Sequence, residues 1–189
     1  MTDDHGPRAG RSDAARRLTV STDVERAIRA HGQEAYPHEC CGALVGKGDH
    51  VTDIVALPNT TEEGPRRRFL VRPSDYREAE RRATELGAAL LGFYHSHPDH
   101  PARPSQYDLD HAWPTFAYII VAVAGGGDAG LPSRSGDLSR QSAEGATAEA
   151  AKAGDMTVWF LKDDRSSFEE GSLHHGENSH PDTAQAVHG

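Results

Sequence analysis

Eight consecutive residues, Ala117–Ala124 (AYIIVAVA), constrain the fold of this chain more than any other stretch. They are continuously apolar and rich in β-branched side chains, which crowd a helix and suit a pleated strand. Neither side of the pleat carries a polar residue, so both faces must be covered and the segment is expected to be a central, buried strand. Shorter stretches read as its companions. Cys41–Val45 is followed by a turn at 46–49 and a returning strand at Val51–Leu57. Phe69–Val71 and Thr157–Leu161 are further short strands, and Leu90–His95 is apolar until a final histidine.

Helical patterns lie between them. Thr22 and Glu25 form a Thr-x-x-Glu capping box ahead of Val24, Ala27, Ile28, His31 and Ala35, which recur on one face until Pro37 stops the run. Ser74 is placed to cap a charged helix reaching about Leu86, with Tyr76, Ala79, Ala83 and Leu86 facing inward. Pro98, Pro101 and Pro104 enforce an irregular loop, after which Ser105 is placed to cap a third helix to about Ala112. Residues 1–17 lack periodicity and are expected to be a flexible leader. Residues 125–155, rich in Gly, Ser, Ala and Asp, are expected to be a disordered insert. Residues 171–189 read as a polar, histidine-containing tail. One domain over 18–170 remains, without internal repeats.

Charge narrows the function. Lys plus Arg number 20 against 29 Asp plus Glu, a formal charge of −9, which argues against nucleic acid as a partner. No apolar run approaches the ~20 residues that cross a bilayer, and residues 1–17 lack the apolar centre of a secretory signal. A cytoplasmic protein without membrane contact is expected. The two cysteines, Cys40 and Cys41, are adjacent, a poor arrangement for a disulfide, so nothing calls for an oxidising compartment. The pattern says nothing of oligomeric state.

Histidine is abundant, at 12 residues, and two stand in the run Gly92-Phe93-Tyr94-His95-Ser96-His97-Pro98. On an extended segment residues i and i+2 share a face, so His95 and His97 aim two imidazoles at one point. Imidazole suits Zn²⁺, and a catalytic zinc usually has three protein ligands and an open position for water. Asp108, one turn inside the helix begun by Ser105, can be the third ligand if the proline loop folds back over the pair. Such a metal lowers the pKa of its water to about 7. Glu39, at the entry to the first buried strand, is the candidate base, able to pass a proton to a leaving amine. Ser105 could offer its hydroxyl to a developing oxyanion. Each element has a plainer explanation too: Ser105 and Asp108 also make a Ser-x-x-Asp capping box, and Glu39 alone could be a surface acid.

The joint pattern resembles the JAMM (MPN+) metallopeptidases: an upstream Glu39, then His95-x-His97-Pro98, six residues, Ser105, two residues, Asp108. Pro37-x-Glu39-x-Cys41-Gly42 and Phe69-x-Val71-x-Pro73-x-Asp75-Tyr76 are similar to the short prokaryotic branch of that family. The resemblance implies an α/β fold of three layers, α/β/α, with a mixed central sheet flanked by helices as in cytidine deaminases. It implies one zinc per chain on His95, His97 and Asp108, with Glu39 as acid/base and Ser105 as oxyanion partner. It further implies hydrolysis of amide or isopeptide bonds after the C-terminal glycines of a ubiquitin-like, β-grasp sulfur-carrier protein. Two other functions compete: a non-catalytic scaffold of the same fold, and a zinc hydrolase of a small molecule. Against the second, the His-x-Glu…Pro-Cys-x-x-Cys signature of zinc deaminases is missing.

Among the remaining residues, a thiol nucleophile at Cys40 or Cys41 is less expected than burial. His100 and His111 are expected at the surface. His174, His175, His180 and His188 are expected in a solvated tail. Arg66–Arg68 reads as a solvated loop that could meet an acidic carrier face.

Overall fold

The computed structural model describes residues 16–59, 71–126 and 150–176. In chain order these form β1 (Arg17–Ser21), α1 (Thr22–Ala35), β2 (Cys41–Lys47), β3 (His50–Leu57), α2 (Pro73–Glu85), β4 (Ala89–Pro98), α3 (Gln106–His111), β5 (Ala117–Ala124), β6 (Lys152–Leu161), β7 (Phe168–Glu170) and β8 (Ser172–Gly176). The strands make one mixed sheet in the order β7-β6-β5-β4-β2-β3-β1-β8. β4 and β5 run parallel, as do β1 with β3 and β1 with β8, while the other neighbours are antiparallel.

The AYIIVAVA segment is β5, paired on both sides, with Ile119, Ile120 and Val121 wholly buried. The alternation of strand side chains divides the interior into two cores. Leu44, Tyr94, Ile119, Val121 and Val158 pack with Val24 and Ile28 of α1, while Ala43, Phe93, Tyr118 and Leu161 pack with Ala79 of α2 and Ala112 just past α3. The expected three layers are present, with α1 on one face and α2 and α3 on the other.

The sheet also curls. β7 and β8 stand at opposite ends of the strand order yet are separated by one residue, Gly171. Gly171 N donates to Val158 O and Ser172 N to Arg16 O, each at 2.9 Å, so one segment passes from β6 to β1 and joins the two ends. A Cβ at Gly171 would come 2.4 Å from Phe160 and 2.6 Å from Arg16 O, which leaves glycine as the residue that fits the crossing. Closure of this kind removes long unpaired edges.

Several boundaries move. Arg17, expected to end the leader, opens the strand Arg17–Ser21, and Ser172–Gly176, expected in the tail, is a strand too; the two pair in parallel register from Arg17↔Ser172 to Ser21↔Gly176. β1 buries the alternating Leu18 and Val20 in the α1-side core and pairs with both β3 and β8, while β8, with little apolar content, is a strand because β1 satisfies its backbone. β6 begins at Lys152, inside the span expected to be an insert. β4 runs through His97 to Pro98 rather than stopping at His95. α1 is capped by Ser21, which accepts from Val24 N at 3.2 Å, and not by Thr22. Its buried ridge is Val24, Ile28 and Gly32, with Ala27 exposed. α2 is capped at Arg72 rather than Ser74. Pro73 opens it with φ already set, and the Asp75 carboxylate accepts from Arg72 N at 3.3 Å. Leu86 is exposed, not inward-facing. Phe69, Leu70, Arg66–Arg68, His180, His188 and most of the 125–155 span lie outside the described residues.

Candidate metal centre

β4 delivers the two imidazoles. Phe93, His95 and His97 alternate onto the α2–α3 face, while Tyr94 and Ser96 point toward α1. His95 and His97 are 0% and 8% exposed. The carboxylate arrives from α3, a helix of 6 residues that Ser105 starts. The capping box forms: Asp108 N donates to Ser105 Oγ at 3.2 Å, and Ser105 N donates to Asp108 Oδ2 at 2.5 Å. Ser105 Oγ donates its own hydrogen to Asp108 Oδ2 at 2.6 Å. The structural explanation and the ligand explanation of Asp108 therefore coexist, because the second carboxylate oxygen still faces His95.

Three donor atoms converge. His95 Nε2 lies 3.0 Å from His97 Nε2 and 3.4 Å from Asp108 Oδ1, and His97 Nε2 lies 3.8 Å from Asp108 Oδ2. A tetrahedral zinc with ligands at ~2.0–2.2 Å holds its donor atoms about 3.3 Å apart, so the set fits such an ion in size and in chemistry. His97 Nδ1 is 2.9 Å from Pro101 O. A carbonyl only accepts, so this nitrogen carries the hydrogen and Nε2 of the neutral ring is left with its lone pair. That lone pair, His95 Nε2 and a carboxylate turned on one point favour a shared cation. No other group of three or more His, Cys, Asp or Glu is so arranged among the described residues.

The electrostatics agree with that arrangement. Burial pushes the His95 ring down to about 4, against the pull of Asp108, so it is neutral and able to ligate near pH 7. Burial pushes the Asp108 carboxyl up, but His95, Ser105 and His97 together hold it below its ordinary value.

Glu39 sits on the approach to β2 and is 7% exposed. Burial first, and the Asp108 charge second, raise its carboxyl to about 8, so the two carboxylates sense one another. Its backbone is pinned: Asn59 Nδ2 donates to Glu39 O at 2.9 Å, Cys40 N donates to Ser96 Oγ at 2.9 Å, and Ser96 N donates to Cys40 O at 3.1 Å. Glu39, His95, Ser96, His97 and Asp108 are five of the six buried polar side chains among the described residues; the sixth is Asp75.

The structure thus brings Glu39, His95, His97, Ser105 and Asp108 to one region, with Ser105 at the exposed rim. Ser96, Asn59 and the Pro101 carbonyl support it and were not singled out from sequence. Their partners lie across the sheet or in a loop, and no spacing signals them. Cys40 and Cys41 are buried thiols that burial raises to about 11 and about 12, which argues against a thiolate nucleophile. His100 and His111 are exposed, as expected. His175 meets Glu25 at 2.8 Å, and β8 carries it with His174, so neither is part of a solvated tail. A cavity of about 260 Å³ is lined by α3 residues including Asp108 and by Phe93, Trp113, Tyr118 and Arg165; it includes neither Glu39 nor the two imidazoles.

A curled mixed sheet with a His-x-His strand and a carboxylate from a capped turn defines a protein of the α/β class with a three-donor cluster able to hold a metal ion. A family model described as prokaryotic homologs of the JAB domain matches residues 21–134. The chain belongs to this family, which bears out the resemblance seen in its motifs. It is 33% identical over 116 residues to a desampylase of Haloferax volcanii, covering 58% of this chain and 83% of that protein. It is 33% identical over 108 residues to a probable TtuB-protein conjugate cleaving protease of Thermus thermophilus, covering 57% of this chain and 72% of that protein. A solution structure of a protein from Desulfitobacterium hafniense superposes with a TM-score of 0.61 at 25% identity, covering 85% of this chain and 93% of the other. No helix among the described residues is long and apolar enough to cross a membrane.

Proposed function

We propose that this chain is a zinc metallopeptidase that releases a ubiquitin-like or sulfur-carrier protein from its conjugates. In this proposal the enzyme hydrolyses the amide or isopeptide bond after the carrier's C-terminal glycines. The observation that carries the reading is the convergence of His95, His97 and Asp108 beside the buried Glu39. Family membership and two relatives named for cleaving protein conjugates support it.

One zinc per chain, held by His95, His97 and Asp108, would supply Lewis-acid activation of a water and of the scissile carbonyl. Glu39 then does the proton work. In its anionic form it takes a proton from the attacking water onto a carboxylate oxygen and returns it to the leaving amine nitrogen. Glu39 senses the Asp108 charge, which a cation bound by the cluster would offset, so its carboxyl would then sit below its metal-free position. Ser105 gives its hydroxyl hydrogen to the carbonyl oxygen as negative charge develops there, releasing its bond to Asp108. Burial of the imidazoles and of Glu39 keeps bulk water from competing for these bonds.

The test uses purified protein: zinc by elemental analysis, then incubation with β-grasp carriers joined through their terminal Gly-Gly to a peptide or a lysine side chain, read by intact mass. About one zinc per chain and cleavage after the glycines, abolished by chelator, are expected. Zinc without cleavage of either linkage would overturn the substrate class. Absence of zinc would favour a non-catalytic scaffold.

A further inference from the structure

The orientation of His97 is set by a carbonyl that is itself held from a distant strand. His97 donates its Nδ1 hydrogen to Pro101 O at 2.9 Å. Arg103 N donates to the same oxygen at 2.8 Å, closing a tight turn around Ala102. Ala102 is 4% exposed, and its carbonyl accepts from Thr157 Oγ1 at 2.6 Å and from Trp159 Nε1 at 3.3 Å. Trp159 Nε1 also donates to Thr157 Oγ1 at 2.8 Å, so the single hydroxyl hydrogen of Thr157 is left for Ala102. Thr157 and Trp159 both belong to β6, two strands from β4.

The register explains why β6 can reach. Cys41, His95, Ile120 and Thr157 are successive Cα partners across β2, β4, β5 and β6, so their side chains share one face. The turn at 101–102 spans that row, bonded to His97 at one end and to Thr157 at the other. The loop has a second anchor at its start. Asp99 N donates to Val123 O at 2.8 Å, while the Asp99 carboxylate accepts from Tyr36 OH at 3.1 Å and from Gly125 N at 3.2 Å. That anchor fixes where the loop leaves β4; the one at Ala102 adjoins the carbonyl that touches the ring.

We infer that Thr157 and Trp159 are positioning residues of the metal centre: by holding the Ala102 carbonyl they fix the Pro101 carbonyl, and through it the tautomer and tilt of His97. This rests on the metal-centre reading above. Partners one bond removed from a ligand orient its donor atom, and their loss typically costs 10–100-fold in metal affinity. Thr157 and Trp159 act one peptide further out, so the lower end, about tenfold, is expected.

The experiment measures zinc affinity of the full chain by competition with a chelator, and the visible absorption of its Co²⁺ form, which reports donor geometry without requiring turnover. Thr157→Val keeps the shape and removes the hydroxyl. It should weaken zinc about tenfold and alter the Co²⁺ spectrum, while Thr157→Ser restores both. A role in folding alone would lower the melting temperature of the metal-free chain and leave affinity and spectrum unchanged, which would overturn the proposal. Should Thr157→Val fail to fold, Trp159→Phe removes the N–H donor together with part of the indole ring and carries the same expectation and the same refutation, because lost packing alone would not move zinc affinity or the Co²⁺ spectrum. Wild-type chain that takes up no zinc would overturn the metal centre itself; wild-type uptake with unaltered variants would overturn the positioning role alone.

Discussion

Glu39 gives the candidate site a measurable pH signature. In the metal-free chain burial, then the charge of Asp108, raises its carboxyl from 4.5 to about 8. Between those values the folded chain binds the proton that the unfolded chain releases. The stability contributed by the neutral carboxyl is therefore full below about 4.5 and lost as pH rises toward 8. Glu39→Gln carries no such group. The melting temperature of metal-free wild type should fall relative to that variant as pH rises through this window, and parallel profiles would show that Glu39 is not held neutral. Comparing the two chains cancels the opposite slope from His31 and His95, whose rings burial lowers. With zinc supplied, Glu39→Gln should retain the metal, because the amide replaces no ligand. It should lose on the order of 10²–10⁴-fold in cleavage rate, the usual worth of a positioned acid/base. Near-normal turnover would remove Glu39 from the mechanism.

At the scale of the element, β2 and β4 depend on a close crossing. A Cβ on Gly42 would lie 2.3 Å from the Tyr94 ring, and Tyr94 is 0% exposed and paired with His31 Nδ1 at 2.8 Å. The ring has nowhere to withdraw, so Gly42→Ala should cost ~1–3 kcal/mol of overpacking, read by denaturant unfolding. Because Gly42 is flanked by Cys41, the register partner of His95, the same variant should also weaken zinc binding. An unchanged midpoint would mean that the strands separate more easily than their register suggests. Elements such as β5, α1 and α3 were legible because their periodicity, apolar content and capping residues are local properties. The true caps of α1 and α2 lay one and two residues earlier than expected, since Ser21 and the Pro73–Asp75 pair satisfy the first turn as well as Thr22 or Ser74 would.

For the whole molecule, closure of the sheet decides how the terminal segments behave. Gly171 is the crossing point between the strand paired with β6 and the strand paired with β1, and any Cβ there meets Phe160 and the Arg16 carbonyl. Gly171→Ala should loosen β1, β7 and β8 together, seen as faster amide hydrogen exchange in 17–21 and 168–176 with protection of β4 and β5 retained. Faster exchange confined to β7 would show that β8 pairs with β1 independently of the crossing.

The residues of the candidate site were legible in the sequence because their signals are short-range. An i,i+2 pair of histidines shares a face of any strand, and a Ser-x-x-Asp spacing caps any helix. The central strand was equally plain, as eight apolar, β-branched residues have one stable environment. Only the tertiary structure decided the rest. It set Glu39 and Asp108 close enough to couple, made a strand of Ser172–Gly176 by pairing it with Arg17–Ser21, and tied the His97 loop to Thr157, 55 residues beyond Ala102. Those facts depend on strand register and sheet closure, which arise from burial summed over the whole chain and leave no mark in any single stretch of it.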